Sequence, residues 1–391
     1  MRTAATEETR SNTNTGILHL AFELGRKKWK LGFTIGLGQK ARKKNVDGAD
    51  TAAVVHEIAA AKRRFGLPED APVVSCYEAG PEGFWLHRWL VSIGVQNVVV
   101  DSASIEVDRR KRRAKSDGLD VEGLLKLLCR HAMGEPKVWS VVQVPPPQIE
   151  DARQLHRELA TLVEERTRIR NRMRSLLATQ GASIGSWSKV RQELARMRQW
   201  DGAQLGPGLR QRLEREIERM EVVHKQIGAI RAELEAELKV AAESGSAIEM
   251  MQRLESARGI GAQGARVMVL ELFAWRNFRN RRQVGGCTGL TPTPYQSGNT
   301  LHEQGIDKAG NAWLRRVAIQ LAWSWVRWQP NSELSVWFNE RFARAGRRQR
   351  RVGIVAVARK LVIALWRCAL GAELPSSVIR GKVDTYVLKA A

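Results

Sequence analysis

The chain has 391 residues, a length that predicts two or three domains with hydrophobic cores of their own. Its 64 lysine and arginine residues outnumber its 41 acidic residues, and the net charge of +23 favours DNA or RNA as a partner over a membrane surface. Four scattered cysteines without a CxxC pair exclude a zinc knuckle and a disulfide framework.

The N-terminal part alternates strand and helix signals after a polar leader. Residues 1–16 lack an apolar stretch, so we expect a disordered leader, no signal peptide and a soluble, cytoplasmic protein. Residues 17–147 begin with a hairpin across the basic turn 25–28, and strands that alternate with helices follow. The predicted strands are "ILHLAFEL", "WKLGFTIGL", "APVVSCYE", "QNVVVDSAS" and an edge strand "KVWSVVQV"; the helices are "TAAVVHEIAAAKRRFG", "PEGFWLHRWLVSIG" and "VEGLLKLLCRHA". This order predicts an α/β domain with a mixed sheet covered by helices.

The stretch "VPPPQ" ends this pattern and precedes a segment of long charged helices, residues 148–245. Apolar residues recur at three- and four-residue spacing over 149–180 and 209–242, and "QWDGAQLGPG" interrupts them. Because two helices this polar cannot form a large core alone, we predict an antiparallel coiled-coil arm that makes an oligomer contact. A solvated spacer is the alternative.

Residues 246–391 predict an all-α domain. The glycines of "ARGIGAQGARVMV" lie between two short helical runs and resemble a helix-hairpin-helix turn, in which the N–H groups of Gly259 and Gly261 would approach a phosphate. An ordinary turn between helices is the alternative. "TGLTPTPYQSGNT" predicts a loop. The helices "AGNAWLRRVAIQLAWSWVRW" and "RRVGIVAVARKLVIALWRCAL" follow, and the tryptophans of the first indicate either core packing or stacking on bases.

Four acidic residues lie where predicted strands end or a helix begins. Glu23 and Glu78 end strands, whereas Asp117 and Asp120 begin a helix, where their three-residue spacing puts them on one face. Strand ends converge at an edge of a sheet, and carboxylates gathered there favour Mg²⁺, which prefers oxygen ligands and assists phosphoryl transfer. The alternative is helix capping, with Ser116 or Asp117 as the N-cap.

Basic residues are candidates for contacts with nucleic acid. The run "DRRKRRAK" directly precedes the last two acids, although a solvated charged face is an alternative interpretation. The candidates are Arg109, Arg110, Arg112, Arg113, Lys115, Lys308, Arg315, Arg347 and Arg348. Two further acids in the same half of the chain, Asp101 and Asp108, compete with the four for a metal.

Ser297 precedes a glycine in the segment "PYQSGNT" and follows two prolines, Pro292 and Pro294. A serine hydroxyl is a poor nucleophile unless a base, a metal or nearby cations activate it. On the sequence alone, Ser297 is either an activated nucleophile or an ordinary turn residue.

Two groups of motifs in this order resemble those of the insertion-sequence transposases of the one-ten type, the bridge-RNA-guided recombinases. The first group is "YEAGPEG" with Glu78 and "KSDGLDV" with Asp117 and Asp120. The second is "GIGAQGA", "GGCTGLTPTPYQSGNT", "IDKAGNAWLRR" and "VAVARKLVIALWR". The resemblance covers nearly all of the chain after residue 16. The family has an aspartate as its first acid, whereas "LAFELG" offers Glu23 here.

The resemblance implies a ribonuclease-H-like (RuvC-like) DEDD domain over 17–147, a coiled-coil arm over 148–245 and a serine transposase domain over 246–391. It implies that Ser297 attacks DNA and forms a transient phosphoserine link, while the four acids hold Mg²⁺. The implied partners are target and donor DNA, a noncoding bridge RNA that pairs with both, and further copies of the chain, first as a dimer and then as a tetramer. We expect such a protein to associate with the nucleoid.

Two other functions are compatible with the same residues. A metal-dependent, structure-selective nuclease would use water for the attack, and Ser297 would only form a turn. A non-catalytic, basic nucleic-acid-binding protein would need neither the acids nor the serine.

Overall fold

The computed structural model describes residues 16–105, 117–297 and 300–381. Residues 1–15 of the predicted leader and the basic run before Asp117 fall outside these ranges. The chain divides into two compact units, Met1–Val144 and Pro145–Ala391. Within the described ranges, no helix is both long enough and apolar enough to cross a membrane.

A mixed five-stranded sheet forms the centre of the first unit. Its strands are β1 (Leu18–Leu24), β2 (Lys28–Thr34), β3 (Arg42–Asp47), β4 (Val73–Glu78) and β5 (Gln96–Val100), in the spatial order β3-β2-β1-β4-β5. β2 is antiparallel to both β1 and β3, whereas β4 is parallel to both β1 and β5. The predicted mixed sheet and its hairpin are therefore confirmed.

Helices cover both faces of this sheet. They are α1 (Thr51–Arg64), α2 (Trp85–Ser92) and α3 (Asp117–Ala132). α1 and α2 pack on the face that presents Leu20 and Phe22. α3 packs on the opposite face, against Ala21 and Cys76. Adjacent strand residues point to opposite faces, so each strand of the centre contributes to both cores.

α3 lies very close to the sheet where it crosses β2. Gly32 pairs with Ala21 across the hairpin, and a Cβ at Gly32 would overlap Val121 Cγ1 and come within 2.9 Å of Leu125 Cδ1. This approach requires glycine because any side chain would occupy the space of the helix. An ion pair of 2.5 Å between Lys43 Nζ of β3 and Glu122 Oε1 ties the same helix to the edge of the sheet.

Two short segments differ from the prediction. "KVWSVVQV" was expected to be an edge strand, but Val141 forms only an isolated antiparallel bridge with Val100. Lys137 has a left-handed backbone (φ of 62°), which interrupts extended pairing, and Val138 and Trp139 are buried in the core under α3. Conversely, "RKKNVD" forms the edge strand β3, which the apolar pattern does not predict because the strand buries only one side chain.

The second unit begins with an antiparallel helix pair. The short helix α4 (Pro147–Ala152) precedes the first long helix, α5 (Gln154–Ala178), and α6 (Val190–Arg196) precedes the second, α7 (Pro207–Glu237); we call α5, α6 and α7 the arm. Apolar side chains of α5 and α7 meet along a common seam: Leu159, Leu162, Ile169, Met173, Leu213, Ile217, Met220, Val223 and Ile227. Arg172 Nη2 of α5 lies 2.8 Å from the buried Glu216 Oε2 of α7. The helix pair follows the prediction, while its supercoil and its role as an oligomer contact stay predictions.

The remaining described residues form a helical domain with one β-hairpin. Its elements are α8 (Ala247–Glu255), α9 (Ala262–Met268), α10 (Arg281–Cys287), β6 (Pro292–Ser297), β7 (Thr300–Ile306), α11 (Ala312–Trp328), α12 (Glu333–Phe342) and α13 (Arg347–Ala369). A π-helical turn, Val269–Phe273, continues α9. α11 and α13 pack together in the core, where Trp325 is buried, whereas Trp323 is 41% exposed. The expected largely helical C-terminal region is confirmed.

Candidate active site and nucleic-acid interface

Glu23 and Glu78 lie side by side on neighbouring parallel strands. The paired register of β1 and β4 ends at Phe22 and Tyr77, and the two glutamates are the next residue on each strand. Both are two positions beyond residues that face α3, namely Ala21 and Cys76. By strand alternation the glutamates point to that same face. Two of the four predicted acids are thus brought together at one end of the sheet.

The other two acids begin α3, the helix that covers this face. Its sheet-facing stripe consists of Val121, Leu124, Leu125 and Leu128. Asp117 is four residues before Val121 and Asp120 is four residues before Leu124, so both positions extend the stripe by one turn. Asp120 is half-buried, whereas the side chain of Asp117 lies outside the description. Ser116, the other candidate for the N-cap, also lies outside it.

The carboxylates of the predicted acids are suitable ligands for Mg²⁺, although the described side chains do not include all four of them. Carboxylate oxygens are the ligands that Mg²⁺ prefers. Among the side chains that the structure describes, no three acids, histidines or cysteines lie close enough to form a metal site. Asp117 is not among those side chains, and the four-ligand set stays a prediction.

Lys30 is a neighbour of this acidic pair that the sequence does not single out. The antiparallel register places it directly opposite Glu23, on β2, and it is half-buried. A cation directly across a strand pair from a carboxylate offsets its charge. The pairing of Lys30 with Glu23 follows from the register of the β1–β2 hairpin. The sequence predicts this register only when the residues that form the turn are known.

Asp101 and Asp108, the two acids that compete with the predicted four for a metal, differ from them in what the structure shows. Asp101 Oδ1 accepts a hydrogen bond of 3.1 Å from Ala103 N, so this exposed carboxylate caps a short 3₁₀ turn. Asp108 lies outside the described residues. So do the basic candidates Arg109, Arg110, Arg112, Arg113 and Lys115.

Ser297 is the last residue of a β-strand, which corrects the expectation of a loop. Its backbone pairs with Thr300, and only residues 298 and 299 separate the two strands. Pro292 and Pro294 lack the backbone N–H that a strand residue donates to the neighbouring strand. The strand accommodates them because the pairing register shifts between them, so no regular hydrogen bond is required there. The pairing of Ser297 with Thr300 sets the position of Ser297 along the hairpin, and the side chain of Ser297 lies outside the description.

The base of this hairpin is held by tight backbone packing and one arginine. Gly289 (φ of 63°) and Gly310 (φ of 77°) have left-handed backbones, and a Cβ at either would overlap a carbonyl oxygen of the neighbouring segment. Arg315 Nη1 donates to the carbonyl oxygens of Lys308 and Ala309, at 3.1 and 3.4 Å. Two predicted phosphate contacts, Lys308 and Arg315, therefore contact each other here, and the guanidinium of Arg315 supports the hairpin.

The two glycines of the GIG turn have different surroundings. Gly259 is buried with a φ of 96°, and a Cβ there would lie 3.2 Å from Trp328 Cβ. Ser324 Oγ donates to the Gly259 carbonyl oxygen at 2.7 Å, which fastens the turn to α11. Gly261 is exposed and precedes α9, and a Cβ there would meet no atom within 4 Å. Of the two, only Gly261 has open space beside it for a ligand.

Arg347 and Arg348 begin α13 and are both exposed. Arg350 and Arg351 follow in the same turn and are exposed too. Positive charges at a helix N-terminus oppose the helix dipole, so this arrangement weakens the helix unless an anion offsets it. Among the described residues, none of the four forms an ion pair.

A buried ionic network joins the arm to the helical domain, and the sequence analysis does not anticipate it. Glu271 is 3% exposed and accepts hydrogen bonds from Arg157 Nε at 2.7 Å and from His156 Nε2 at 3.0 Å. Burial would raise the pKa of Glu271, but these hydrogen bonds outweigh it and lower the pKa to about 2. Arg153, also buried, lies 3.7 Å from the same carboxylate. One signal was present, a single acid within the apolar run "VMVLELF".

The family model and the known proteins to which this chain is similar are all described as transposases. Residues 251–336 match the family model described as "Transposase IS116/IS110/IS902 family". The y4rJ protein of Sinorhizobium fredii, which carries the name of a transposase, is 39% identical over 365 residues, covering 90% of this chain and 91% of that protein. The transposase for insertion sequence element IS1328 of Yersinia enterocolitica is 28% identical over 64% of this chain and 71% of its own length. The transposase for IS1111A of Coxiella burnetii is 26% identical over 73% of this chain and 74% of its own length.

Proposed function

Since the chain belongs to the IS116/IS110/IS902 family of transposases, and thus acts on DNA, we propose that it breaks and rejoins DNA strands through Ser297. The observation that carries this proposal is the location of Ser297. It ends β6, where it pairs with Thr300 of β7, inside the segment 251–336 that matches the family. A residue at the tip of a hairpin with a braced base can reach a bound strand without rearrangement of the helical core.

The proposed reaction is a transesterification. The Ser297 Oγ attacks a DNA phosphorus, an Oγ–P bond forms, and the bond from phosphorus to one deoxyribose oxygen breaks. The serine proton passes to solvent or a neighbouring base, and the released sugar oxygen takes up a proton. A deoxyribose hydroxyl of another strand then attacks the same phosphorus, which restores a phosphodiester and frees the serine. The number of phosphoester bonds is conserved, so no nucleotide hydrolysis is needed.

We further propose that Mg²⁺ assists this reaction when bound by the acids of the first unit: Glu23, Glu78, Asp117 and Asp120. The adjacency of Glu23 and Glu78 and the extension of the α3 stripe to positions 117 and 120 support this assignment. When bound, the ion would offset charge on phosphate oxygens. The mixed sheet, with a hairpin followed by strands that alternate with helices, supports a ribonuclease-H-like fold for this unit.

The proposed partners beyond the DNA itself are a noncoding bridge RNA and further copies of the chain. The net charge of +23 supports binding of more than one nucleic-acid strand. The exposed arginines at the start of α13, Arg347 and Arg348, are suited to phosphate contacts because they have no acidic partner among the described residues. If RNA guides the reaction, treating the purified protein with ribonuclease will abolish strand exchange, and adding back the RNA will restore it.

The test of the serine mechanism is a trapped covalent adduct. Full-length protein is incubated with labelled substrate DNA, denatured, and resolved by electrophoresis, and the modified residue is mapped by mass spectrometry. We expect Ser297→Ala to abolish the adduct and to leave nucleic-acid binding intact. Ser376→Ala, which changes an exposed serine in a C-terminal turn, is the matched control and retains the adduct.

A water-dependent nuclease gives a different pattern. In that case cleavage survives Ser297→Ala, no adduct forms with the wild-type protein, and Asp120→Asn abolishes cleavage. Strand exchange at the wild-type rate by Ser297→Ala would disprove the proposed nucleophile.

A further inference from the structure

Three arginines form a stripe along α5 that plays no part in the site above. Arg166, Arg170 and Arg174 are four residues apart, so they lie on one face of the helix with a rise of about 6 Å between neighbours. We call these three residues the arginine stripe. Arg231 of α7 is close enough to Arg166 to add to its positive surroundings.

The arginine stripe lacks the counter-ions that other arginines of the arm have. Arg168 pairs with Glu164, Arg191 with Glu221 and Arg210 with Glu214. Within the described part of the chain, no acid pairs with any member of the stripe. The Nε atoms of Arg166 and Arg170 are buried without a hydrogen-bond partner. Burial, together with the charges of Arg166 and Arg174, lowers the pKa of Arg170.

An aromatic ring holds part of the stripe in place. The guanidinium carbons of Arg170 and Arg174 lie 5.2 and 5.3 Å from the centre of the Trp187 ring, which precedes α6. Such cation–π contacts restrict the side chains but do not neutralise their charge. The stripe therefore loses less side-chain entropy when it binds an anion than three free arginines would.

We propose that the arginine stripe binds the phosphate backbone of a nucleic acid, so that the arm is a nucleic-acid-binding surface in its own right. A regularly repeated anion matches a regularly repeated row of guanidinium groups that have no acidic partner among the described residues, because each can donate to phosphate oxygens; Arg174 Nη1 otherwise donates only to Asn171 Oδ1, at 3.5 Å, in the described part of the chain. A second copy of the chain that presents its own stripe is a poorer occupant, since two such stripes would repel each other. The inference rests on the proposed function only in taking nucleic acid as the partner, and it does not depend on Ser297.

The experiment compares two triple variants of the full-length protein. Arg166→Gln, Arg170→Gln and Arg174→Gln together remove the stripe. Arg168→Gln, Arg191→Gln and Arg210→Gln together remove the same charge from the same arm, at positions that already have acidic partners. Fluorescence anisotropy measures binding to single-stranded RNA, single-stranded DNA and duplex DNA of one sequence, each over a series of salt concentrations. Circular dichroism and sedimentation velocity check folding and oligomeric state.

We expect the stripe variant to bind at least one of these nucleic acids tenfold or more weakly at low salt. Its plot of log affinity against log salt becomes shallower by about 2, since each lost phosphate contact removes about 0.7 to 0.9. The nucleic acid with the largest loss is the one the arm binds. The control variant stays within about threefold of wild type, because its arginines are paired.

Three results would overturn the proposal. They are equal losses in both triple variants, no loss in either, and a loss that coincides with a changed oligomeric state, which would indicate a protein contact. The assay measures binding and involves no strand cleavage, so a failure of the serine mechanism leaves this result unchanged.

Discussion

Glu271 illustrates how a single residue fixes the junction of two elements. Its carboxylate is surrounded by His156 and Arg157 of α5 and by Arg153, which directly precedes that helix, and the stacked ring of Trp313 lies 5.4 Å from the His156 ring. A buried charge is costly unless it is paired, and removal of one partner leaves the others unpaired at a cost of about 3–5 kcal/mol. The contact between the start of α5 and the helical domain therefore depends on this carboxylate.

The same network predicts a pH dependence of stability. Burial lowers the pKa of His156 below its ordinary value of 6.5, although Glu271 opposes this. The stability that neutral His156 contributes is complete above pH 6.5 and is lost as the pH falls, because the unfolded chain takes up the proton first. Urea unfolding at pH 7 and pH 5 measures this loss, and we expect it to be smaller in His156→Gln.

The control for this prediction is His224→Gln, which changes an exposed histidine of α7. It should retain the wild-type dependence on pH. An unchanged slope in His156→Gln would contradict the assignment, whatever its absolute stability.

The GIG turn allows a second prediction at the scale of single residues. Gly259→Ala combines a left-handed backbone with contact to Trp328 and the Ser324 carbonyl, so we expect a loss of about 1–3 kcal/mol in the free energy of unfolding. Gly261→Ala is the matched control and should change stability by less than about 0.5 kcal/mol, since open space surrounds it. Thermal melting of both variants measures the difference. Equal melting temperatures would mean that the turn is not fastened to α11.

The hairpin β6–β7 is the element on which the proposed chemistry depends. It was predicted as a loop, because proline and glycine dominate "TGLTPTPYQSGNT" and no apolar alternation marks a strand. The structure forms strands there nonetheless, since the shifted register after Pro292 leaves the proline nitrogens without a bonding role. Such compensation is not visible in composition. By contrast, β1, β4 and the long helices follow apolar periodicities that predict them directly.

Arg315 offers a test of how the hairpin is supported. Because its Nη1 already donates to backbone carbonyls, we expect Arg315→Ala to slow adduct formation by tenfold or more while the salt dependence of DNA binding stays unchanged. A phosphate contact would instead reduce the salt slope by about 1. Anisotropy and adduct assays on the same preparation separate the two roles. Arg316→Ala, at the adjacent exposed position, is the control.

At the scale of the whole molecule, charge is distributed over both compact units rather than concentrated in one site. The formal net charge of +23 repels itself, so a polyanion that bridges basic surfaces stabilises the assembled protein. The arginines of the arm and those of α13 are separate basic surfaces within the second unit. Affinity for nucleic acid should therefore come from many weak contacts.

This distribution predicts a steep dependence on salt. Raising monovalent salt from about 50 to about 200 mM should weaken binding of the full chain by about 10³-fold or more, as expected for six or more phosphate contacts. Anisotropy with duplex DNA measures it, and sucrose at matched osmolality serves as the control. A loss below about tenfold would indicate that few of the basic residues contact phosphate.

The sequence predicts the acidic pair of the candidate site better than its surroundings. Glu23 and Glu78 are found because each ends an apolar strand, and parallel neighbours bring such ends together. The pairing of Glu271 with His156 could not be found in this way, since 115 positions separate them and nothing in either segment specifies the other. Contacts of this kind depend on how helices pack, which a one-dimensional pattern does not encode.

The close approach of α3 to the sheet at Gly32 affects the distance between the proposed metal ligands. Two of the proposed ligands lie on strands and two lie on α3, so the distance between the two pairs depends on the distance between the helix and the sheet. That distance is set at its narrowest point by the hydrogen atom of one glycine. If the four acids bind a metal ion as proposed, residue 32 therefore limits the distance between the ligands on the sheet and the ligands on α3 without being a ligand itself, and a larger residue there would favour a larger cation.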